Sequence, residues 1–479
     1  MTSPSPETTA AAREGKGAPV HLQRGLSLAD CMLLVVGSMV GSGIFLTTGQ
    51  IAGALPAAWL ILVAWAAGGA IALAGALTYA ELGAALPRAG GHYVYLREAY
   101  GPLVGFLDGW LSFVASFAGS IAFVALGLIL YLPAAWGGHD LFSVELAGAR
   151  WAVGSSQAVA IGIVVVLSSL NALGLRVGSG AQNLLTALKI AALVGIAALD
   201  LLSGRGHWEN LGLGGALGSG AAGLAEFGIA LIGVSFAYLG WDAATYMAAE
   251  VRQPQRSLPR SLLLGTLVVV GLYLAFNVVL LYGLPAAELA GSGNATREVV
   301  ARLLGTGFAD LLTLAIFVCV LGSLNATIMV GPRIYYAMAQ DGLFPKLLGS
   351  VNRRTRVPVA AIFAQAAWSC VILLSATLGR ILAFTVLVIW LLSAITGAAV
   401  FVLRRRRPDL ARPYRAWGYP WVPGFFCLAS LALTVNHLVH SPRDLLWLGG
   451  FLIAGLPVYA ALRRSAGAAA GDDAGALGQ

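Results

Sequence analysis

Charge is what this chain has least of. Only 10% of its 479 residues are Asp, Glu, Lys or Arg, against about 25% in an ordinary soluble protein. Set beside 58% hydrophobic residues, that scarcity excludes a soluble enzyme and a disordered chain. Cysteine is scarce as well. Cys31, Cys319, Cys370 and Cys427 lie in or at the edge of apolar runs, with no C-x-x-C spacing, which excludes a disulfide scaffold and a thiolate metal or redox site. The net charge of +8 comes from short basic blocks between apolar runs, a topology signal and not a nucleic-acid surface. The first 25 residues are polar and lack an apolar stretch with a cleavage site, so no signal peptide is expected.

What the chain has in quantity is long apolar runs. A bilayer-crossing helix needs about 20 such residues. Runs of this kind predict twelve spans, at 28–51, 57–85, 102–132, 152–171, 179–202, 224–249, 260–284, 308–338, 358–378, 381–403, 422–439 and 444–462. The expected fold is therefore all-α and integral to the membrane. Residues 1–25 and the Gly/Ala-rich stretch 465–479 are expected to be disordered and cytoplasmic. Of the 29 Lys and Arg residues, 21 fall in the connections on the N-terminal side and six in the others, while Lys189 and Arg333 lie within spans. That bias puts both termini in the cytoplasm of a multi-pass cell-membrane protein.

Two spans are interrupted. The first reads Gly37-Ser38-Met39-Val40-Gly41-Ser42-Gly43, and the sixth reads Ser235-Phe236-Ala237-Tyr238-Leu239-Gly240-Trp241-Asp242. Each glycine weakens a helix by about 1 kcal/mol relative to alanine, and irregular backbone at membrane depth survives only where it lines a cavity or is buried in protein. Gly37 and Gly41 alone would fit a small-residue packing face, but Ser42-Gly43 and the matching break five spans later point to a broken helix. No lysine follows the glycines, so a phosphate loop is excluded. Because five is odd, the second set of five spans runs with opposite polarity. The expected organisation is a first inverted repeat over 26–202, a second over 203–403, and two further helices with a basic cytoplasmic loop over 404–464. Free N–H groups at a half-helix start suit a carboxylate, and free carbonyls at a half-helix end suit an ammonium. Two crossed breaks therefore suit a zwitterion such as an amino acid.

The chain resembles the amino acid–polyamine–organocation transporter superfamily at these residues. Gly41-Ser42-Gly43-Ile44-Phe45 is similar to its first-helix motif. The likeness continues at Leu86-Pro87-Arg88-Ala89-Gly90-Gly91, Tyr95-Leu96-Arg97-Glu98-Ala99-Tyr100-Gly101-Pro102, Phe236-Ala237-Tyr238-Leu239-Gly240-Trp241, Tyr336 to Pro345 and Arg412-Pro413-Tyr414-Arg415. Within the superfamily the chain looks closest to the L-amino-acid transporter-like permeases. The resemblance implies a LeuT-type five-plus-five core, alternating access, and amino-acid uptake or exchange. It implies that Ser42, Gly43 and Ile44 offer N–H groups to the substrate carboxylate and that Phe236, Ala237 and Leu239 offer carbonyls to its ammonium. Tyr238 and Trp241 would line the pocket or its gate.

Lys189, one of three lysines, sits about ten residues inside span five, or ~15 Å at 1.5 Å per residue. That is too deep to snorkel comfortably, and an intramembrane lysine marks a functional site by default. Burial disfavours its charged form, so it could carry a proton or serve as a fixed cationic strut. In sodium-independent members of the superfamily a fifth-helix lysine takes the place of a sodium ion. The resemblance thus implies contact with the Gly37 carbonyl and with a polar group near Ser323 or Asn325, and no sodium requirement.

Asp242 stands where many members carry Asn, and His92 where an acid is common. Asp242 could balance a cationic substrate, accept a proton or bond locally. Leu239 replaces an acid found in carriers of dibasic substrates. Asp108 and Glu81 are expected at the inner interface, and Arg333 beside an acid or carbonyls. His437 and His440 lack an evident acidic partner and are read as an interface feature, so no metal site is expected.

The function expected is secondary amino-acid transport, as a sodium-independent exchanger or a proton-coupled permease. The alternative is a polyamine or organic-cation carrier on the same fold. No span supplies a nucleophile with its base or a carboxylate pair, so an enzyme is not expected, and no filter motif suggests a channel. No cofactor is expected. The expected partners are the amino acid, the lipid bilayer and protons. A light-chain subunit, as some animal members need, is not indicated, since the connection after span three has no cysteine.

Overall fold

Ser27 starts the first span. Its hydroxyl accepts from Asp30 N (3.2 Å) while its own N–H donates to Asp30 Oδ2 (2.8 Å), the reciprocal cap that fills two orphan donors at a helix start. The helix it opens, α1 (Leu28–Met39), stops after three turns, and α2 (Gly43–Ala54) follows three residues later. These bounds come from a computed structural model that describes residues 21–476, apart from 56, 133–139, 147–148, 213, 215–220, 293 and 376–377. Residues 1–20, expected to be disordered, lie outside the described residues.

The chain continues through α3 (Ala58–Ala85), α4 (His92–Tyr100), α5 (Pro102–Leu111) and α6 (Phe117–Leu128). Then come a hairpin of β1 (Asp140–Leu146) and β2 (Ala149–Gly154), α7 (Ser155–Ala172) and α8 (Leu175–Leu202). The sixth span is again divided, into α9 (Ala221–Ala237) and the single turn α10 (Ala243–Tyr246). After it come α11 (Pro254–Gly283), α12 (Ala286–Gly291), α13 (Ala295–Leu304), α14 (Thr306–Val330) and α15 (Pro332–Gln340). The chain closes with α16 (Val359–Ser375), α17 (Leu378–Arg406), α18 (Trp421–His440) and α19 (Asp444–Ala476).

Among the described residues, nine helices are long and apolar enough to cross a membrane, and three shorter apolar ones accompany them. Two of the short ones belong to the interrupted spans. The breaks expected from Gly41–Gly43 and Tyr238–Gly240 are present as the non-helical residues 40–42 and 238–242.

Several features depart from expectation. Span three is not a uniform helix: Ser112–Ser116 forms a π turn between α5 and α6, a wide turn of the kind that concentrates at functional sites. The antiparallel hairpin, with Val144 opposite Trp151, occupies the connection between spans three and four. The last helix runs to Ala476, through residues 465–476 that composition had marked as disordered; alanine, the strongest helix former, recurs through this stretch.

Two charges expected at the inner interface are buried. Glu81 is 2% exposed; it binds Arg404 through two bonds (2.8 and 2.6 Å), lies 3.5 Å from Arg412 and accepts from Ala416 N (2.7 Å). Asp108 is buried as well, against His92. Arg333 pairs in bidentate fashion with Glu250 (2.7 and 3.0 Å). His437 has an acidic partner after all, Asp444 at 2.9 Å, seven residues on and across the turn between α18 and α19.

The packing places the first break at the centre. α1 lies against α8, α11 and α14, while α2 lies against α9.

Candidate functional site

The two breaks meet. A β-carbon on Gly240 would fall 2.9 Å from that of Ser38, and Gly240 has φ +101°, a backbone conformation that glycine adopts without strain. Tyr273 of α11 ties the same junction together, its hydroxyl donating to Met39 O (2.8 Å) and to Ala237 O (3.1 Å). Those carbonyls end α1 and α9, where the last acceptors of a helix lack internal donors.

A cavity of about 170 Å³ opens beside the junction. One water needs roughly 10–15 Å³, so this space takes a small solute. Ser42 and Gly43 line it from the start of α2, and Phe236, Ala237 and Leu239 from the end of α9. The Ser42 side chain does not cap α2. Phe45 N donates to Ser42 O (3.2 Å), while the N–H groups of Ser42, Gly43 and Ile44 have no acceptor among the described residues. At the other end Phe236 O accepts from Leu239 N (3.2 Å) and Ala237 O from Tyr273; a carbonyl has a second lone pair to offer. One side of the cavity therefore presents donors with the positive end of a helix dipole, and the opposite side acceptors with a negative end.

Trp241 and Asp242 also line the cavity, whereas Ile44 and Tyr238 do not. Tyr238, expected in the pocket or its gate, does not line the cavity; its ring is buried against Trp65 (5.8 Å between rings) and Tyr273 (5.0 Å). Trp241 packs edge-on against Tyr79 at 4.7 Å.

Lys189 is fully buried and donates to Gly37 O (2.6 Å), Val40 O (2.7 Å) and Ser323 Oγ (3.0 Å). Its ammonium thus holds the frayed end of α1 to α14. Asn325 is not part of this contact. Two residues from Ser323, it faces the other way around the helix, accepting from Asn171 Nδ2 and donating to Gln182 Oε1, both at 2.8 Å.

Some site residues were missed in the sequence. Ser112, Ser116 and Ser120 all reach the cavity; their spacing of four put them on one helix face and could have revealed them. His92 and Tyr246 line it too and both bind Asp242 Oδ2, at 2.9 and 3.1 Å. The His92 contact joins segments 150 residues apart, and no local pattern announces it, whereas Tyr246 lies only four residues from Asp242.

The sequence model of the family described as "Amino acid permease" matches residues 26–455. The chain is 30% identical to the serine/threonine exchanger SteT of Bacillus subtilis (strain 168) over 454 residues, covering 92% of this chain and 98% of that one. It is 29% identical to the human b(0,+)-type amino acid transporter 1 over 444 residues, covering 91% and 88% of the two chains. The human cystine/glutamate transporter is 25% identical over 446 residues, with 92% and 85% covered.

Proposed function

Because this chain belongs to the amino acid permease family, we propose that its two breaks hold an amino acid at the midpoint of an alternating-access cycle. It is a multi-pass membrane transporter of amino acids and not an enzyme. The polyamine alternative finds no support among relatives whose names specify amino acids.

The observation that carries the proposal is the junction of Gly43 with Ala237 beside the cavity. The substrate carboxylate sits on the N–H groups of Ser42 and Gly43, the residues of that stretch that line the cavity, and its ammonium on the carbonyls of Phe236, Ala237 and Leu239. Trp241 and Asp242 bound the side-chain space. The hydroxyls of Ser112, Ser116 and Ser120 and the cavity volume of about 170 Å³ favour a small polar side chain. That reading is supported by similarity to a serine/threonine exchanger.

Lys189 acts as the cation that makes sodium unnecessary, bridging Gly37 and Ser323. Twelve spans, with 26–202 and 203–403 as inverted repeats, both termini cytoplasmic and the cell membrane as location, complete the reading. It includes no auxiliary subunit.

The test is uptake of radiolabelled L-serine into proteoliposomes holding the purified protein, with competition by the twenty amino acids. Saturable uptake that internal L-serine accelerates, unchanged when sodium is replaced by choline, is the expected result. Uptake that rises linearly with concentration for every amino acid would overturn it.

A further inference from the structure

Resting on the carrier reading above, we propose that His92, Asp108 and Asp242 form a proton-binding site at the cavity wall and that a proton loaded there travels with the amino acid. Asp242 Oδ2 faces His92 Nε2 at 2.9 Å, and the other ring nitrogen, Nδ1, faces Asp108 Oδ1 at 3.9 Å. One imidazole thus lies between two carboxylates. Asp108 is 1% exposed and neither of its oxygens has a hydrogen-bond partner among the described residues.

The other titratable groups around the cluster are phenols. α3 supplies Tyr79, edge-on to His92 at 5.0 Å, with Tyr95 of α4 behind it, and α10 supplies Tyr246, stacked on the imidazole at 5.4 Å. Among the described residues no lysine or arginine pairs with either carboxylate. Without a bound proton the cluster would hold two negative charges facing no cation, that of Asp108 fully buried and that of Asp242 at the cavity wall, a costly arrangement for the buried one. Protonation of the imidazole places a cation between them.

Loading and release need a path, and the cavity supplies one. His92 and Asp242 line it, while Asp108 stands behind them. With the cavity open to the outer solution, one proton binds the cluster from that solution. With the cavity open inward, the same proton leaves to the cytoplasm, and no bond other than N–H or O–H forms or breaks.

Lys189 is a poor rival for this role. An ammonium has three donors, and all three are engaged by Gly37, Val40 and Ser323. The cluster is not a cation site in disguise either, since among the described residues no three His, Cys, Asp or Glu side chains converge as metal ligands.

The experiment uses the full-length protein in proteoliposomes loaded with a pH-sensitive dye, with L-serine as the probe. Two fluxes are measured in the same vesicles: uphill uptake driven by an acid exterior, and counterflow exchange. For the native chain, L-serine entry is expected to acidify the lumen, and the acid gradient to raise initial uptake at least fivefold. Asp108→Asn and His92→Gln are expected to lower the ratio of gradient-driven uptake to counterflow at least tenfold, and Asp108→Glu to restore it. A misfolded variant would lower both fluxes and leave their ratio unmoved, so the ratio isolates the proton site. Counterflow in the native chain together with net L-serine entry that leaves the lumen unacidified overturns this proposal and leaves the carrier reading standing. Undiminished acidification in Asp108→Asn overturns it as well. Absence of saturable flux for L-serine and every competitor overturns the carrier reading itself, and this proposal with it.

Discussion

A β-carbon on Gly43 would fall 2.7 Å from the Cα of Ala237, so the two interrupted spans touch backbone to backbone where their helices stop. Such contact fixes the spacing between the donors of α2 and the acceptors of α9. The neighbour is main chain and cannot swing aside, so the distance across the site is set by the absence of a side chain.

Gly43→Ala is therefore expected to push the breaks apart. Overpacking of this kind costs about 1–3 kcal/mol, and the larger effect falls on substrate contact, with L-serine uptake down at least tenfold. Gly53→Ala, in the same helix with nothing within 4 Å of the added carbon, is the control and should transport normally. Uptake and thermal unfolding of both variants in detergent check the pair.

Lys189 yields a second prediction. Lys189→Ala removes the donor shared by Gly37 O, Val40 O and Ser323 Oγ. A buried acceptor left unfilled costs about 1–3 kcal/mol, so the end of α1 loosens from α14. L-serine uptake should fall at least tenfold at any sodium concentration. Lys189→Arg should not restore it, because the lysine stem already lies against Gly322, where a β-carbon would come within 2.6 Å of its Cε. Near-normal uptake by Lys189→Ala would remove the strut from the mechanism.

How much of this was legible in the sequence depends on the range of the signal. The breaks announced themselves locally, since glycine and serine in an apolar run violate what a lipid-facing helix requires. Lys189 did so too, as a charge with no nearby interface. The partners of these residues were harder. Of the two polar groups expected near Lys189, Ser323 makes the contact and Asn325 does not, because helix phase at residue 325 differs from that at 323, and Tyr238, expected in the pocket or its gate, does not line the cavity. Asp108 and Glu81 were misread as interfacial charges, for burial of a carboxylate depends on partners such as His92 and Arg404 that arrive from distant segments. The hairpin after span three left no periodic apolar pattern strong enough to mark it.

The Glu81 contacts predict a stability effect remote from the cavity. Glu81 joins α3 to α17 and to the connection before α18 through Arg404, Arg412 and Ala416 N, and Arg404 also lies 3.7 Å over the Tyr419 ring. Breaking a buried pair by removing one partner costs about 3–5 kcal/mol. Glu81→Ala should lower the unfolding temperature in detergent markedly. Glu288→Ala breaks an exposed pair with Arg302, both side chains about half exposed. Exposed pairs contribute only ~0–1 kcal/mol, so that variant should unfold close to the native temperature. Equal shifts in the two variants would contradict this account.

Two tyrosines 35 residues apart, in ring contact at 5.0 Å, should respond oppositely to loss of one oxygen. Tyr273→Phe deletes the bridge from α11 to Met39 O and Ala237 O. A typical buried hydrogen bond contributes about 0.5–1.5 kcal/mol net, and the single O–H proton here is shared between two carbonyls that flank the substrate site. Both stability and L-serine uptake should fall, uptake by threefold or more. The Tyr238 hydroxyl is buried without a hydrogen-bond partner among the described residues, so Tyr238→Phe removes an unsatisfied group and keeps the ring against Trp65. That variant should transport at native rate and unfold at or slightly above the native temperature. The comparison separates polarity from shape, because both substitutions leave an aromatic ring of the same size in place. A transport loss in Tyr238→Phe equal to that in Tyr273→Phe would mean that the Tyr238 hydroxyl reaches the substrate during the cycle.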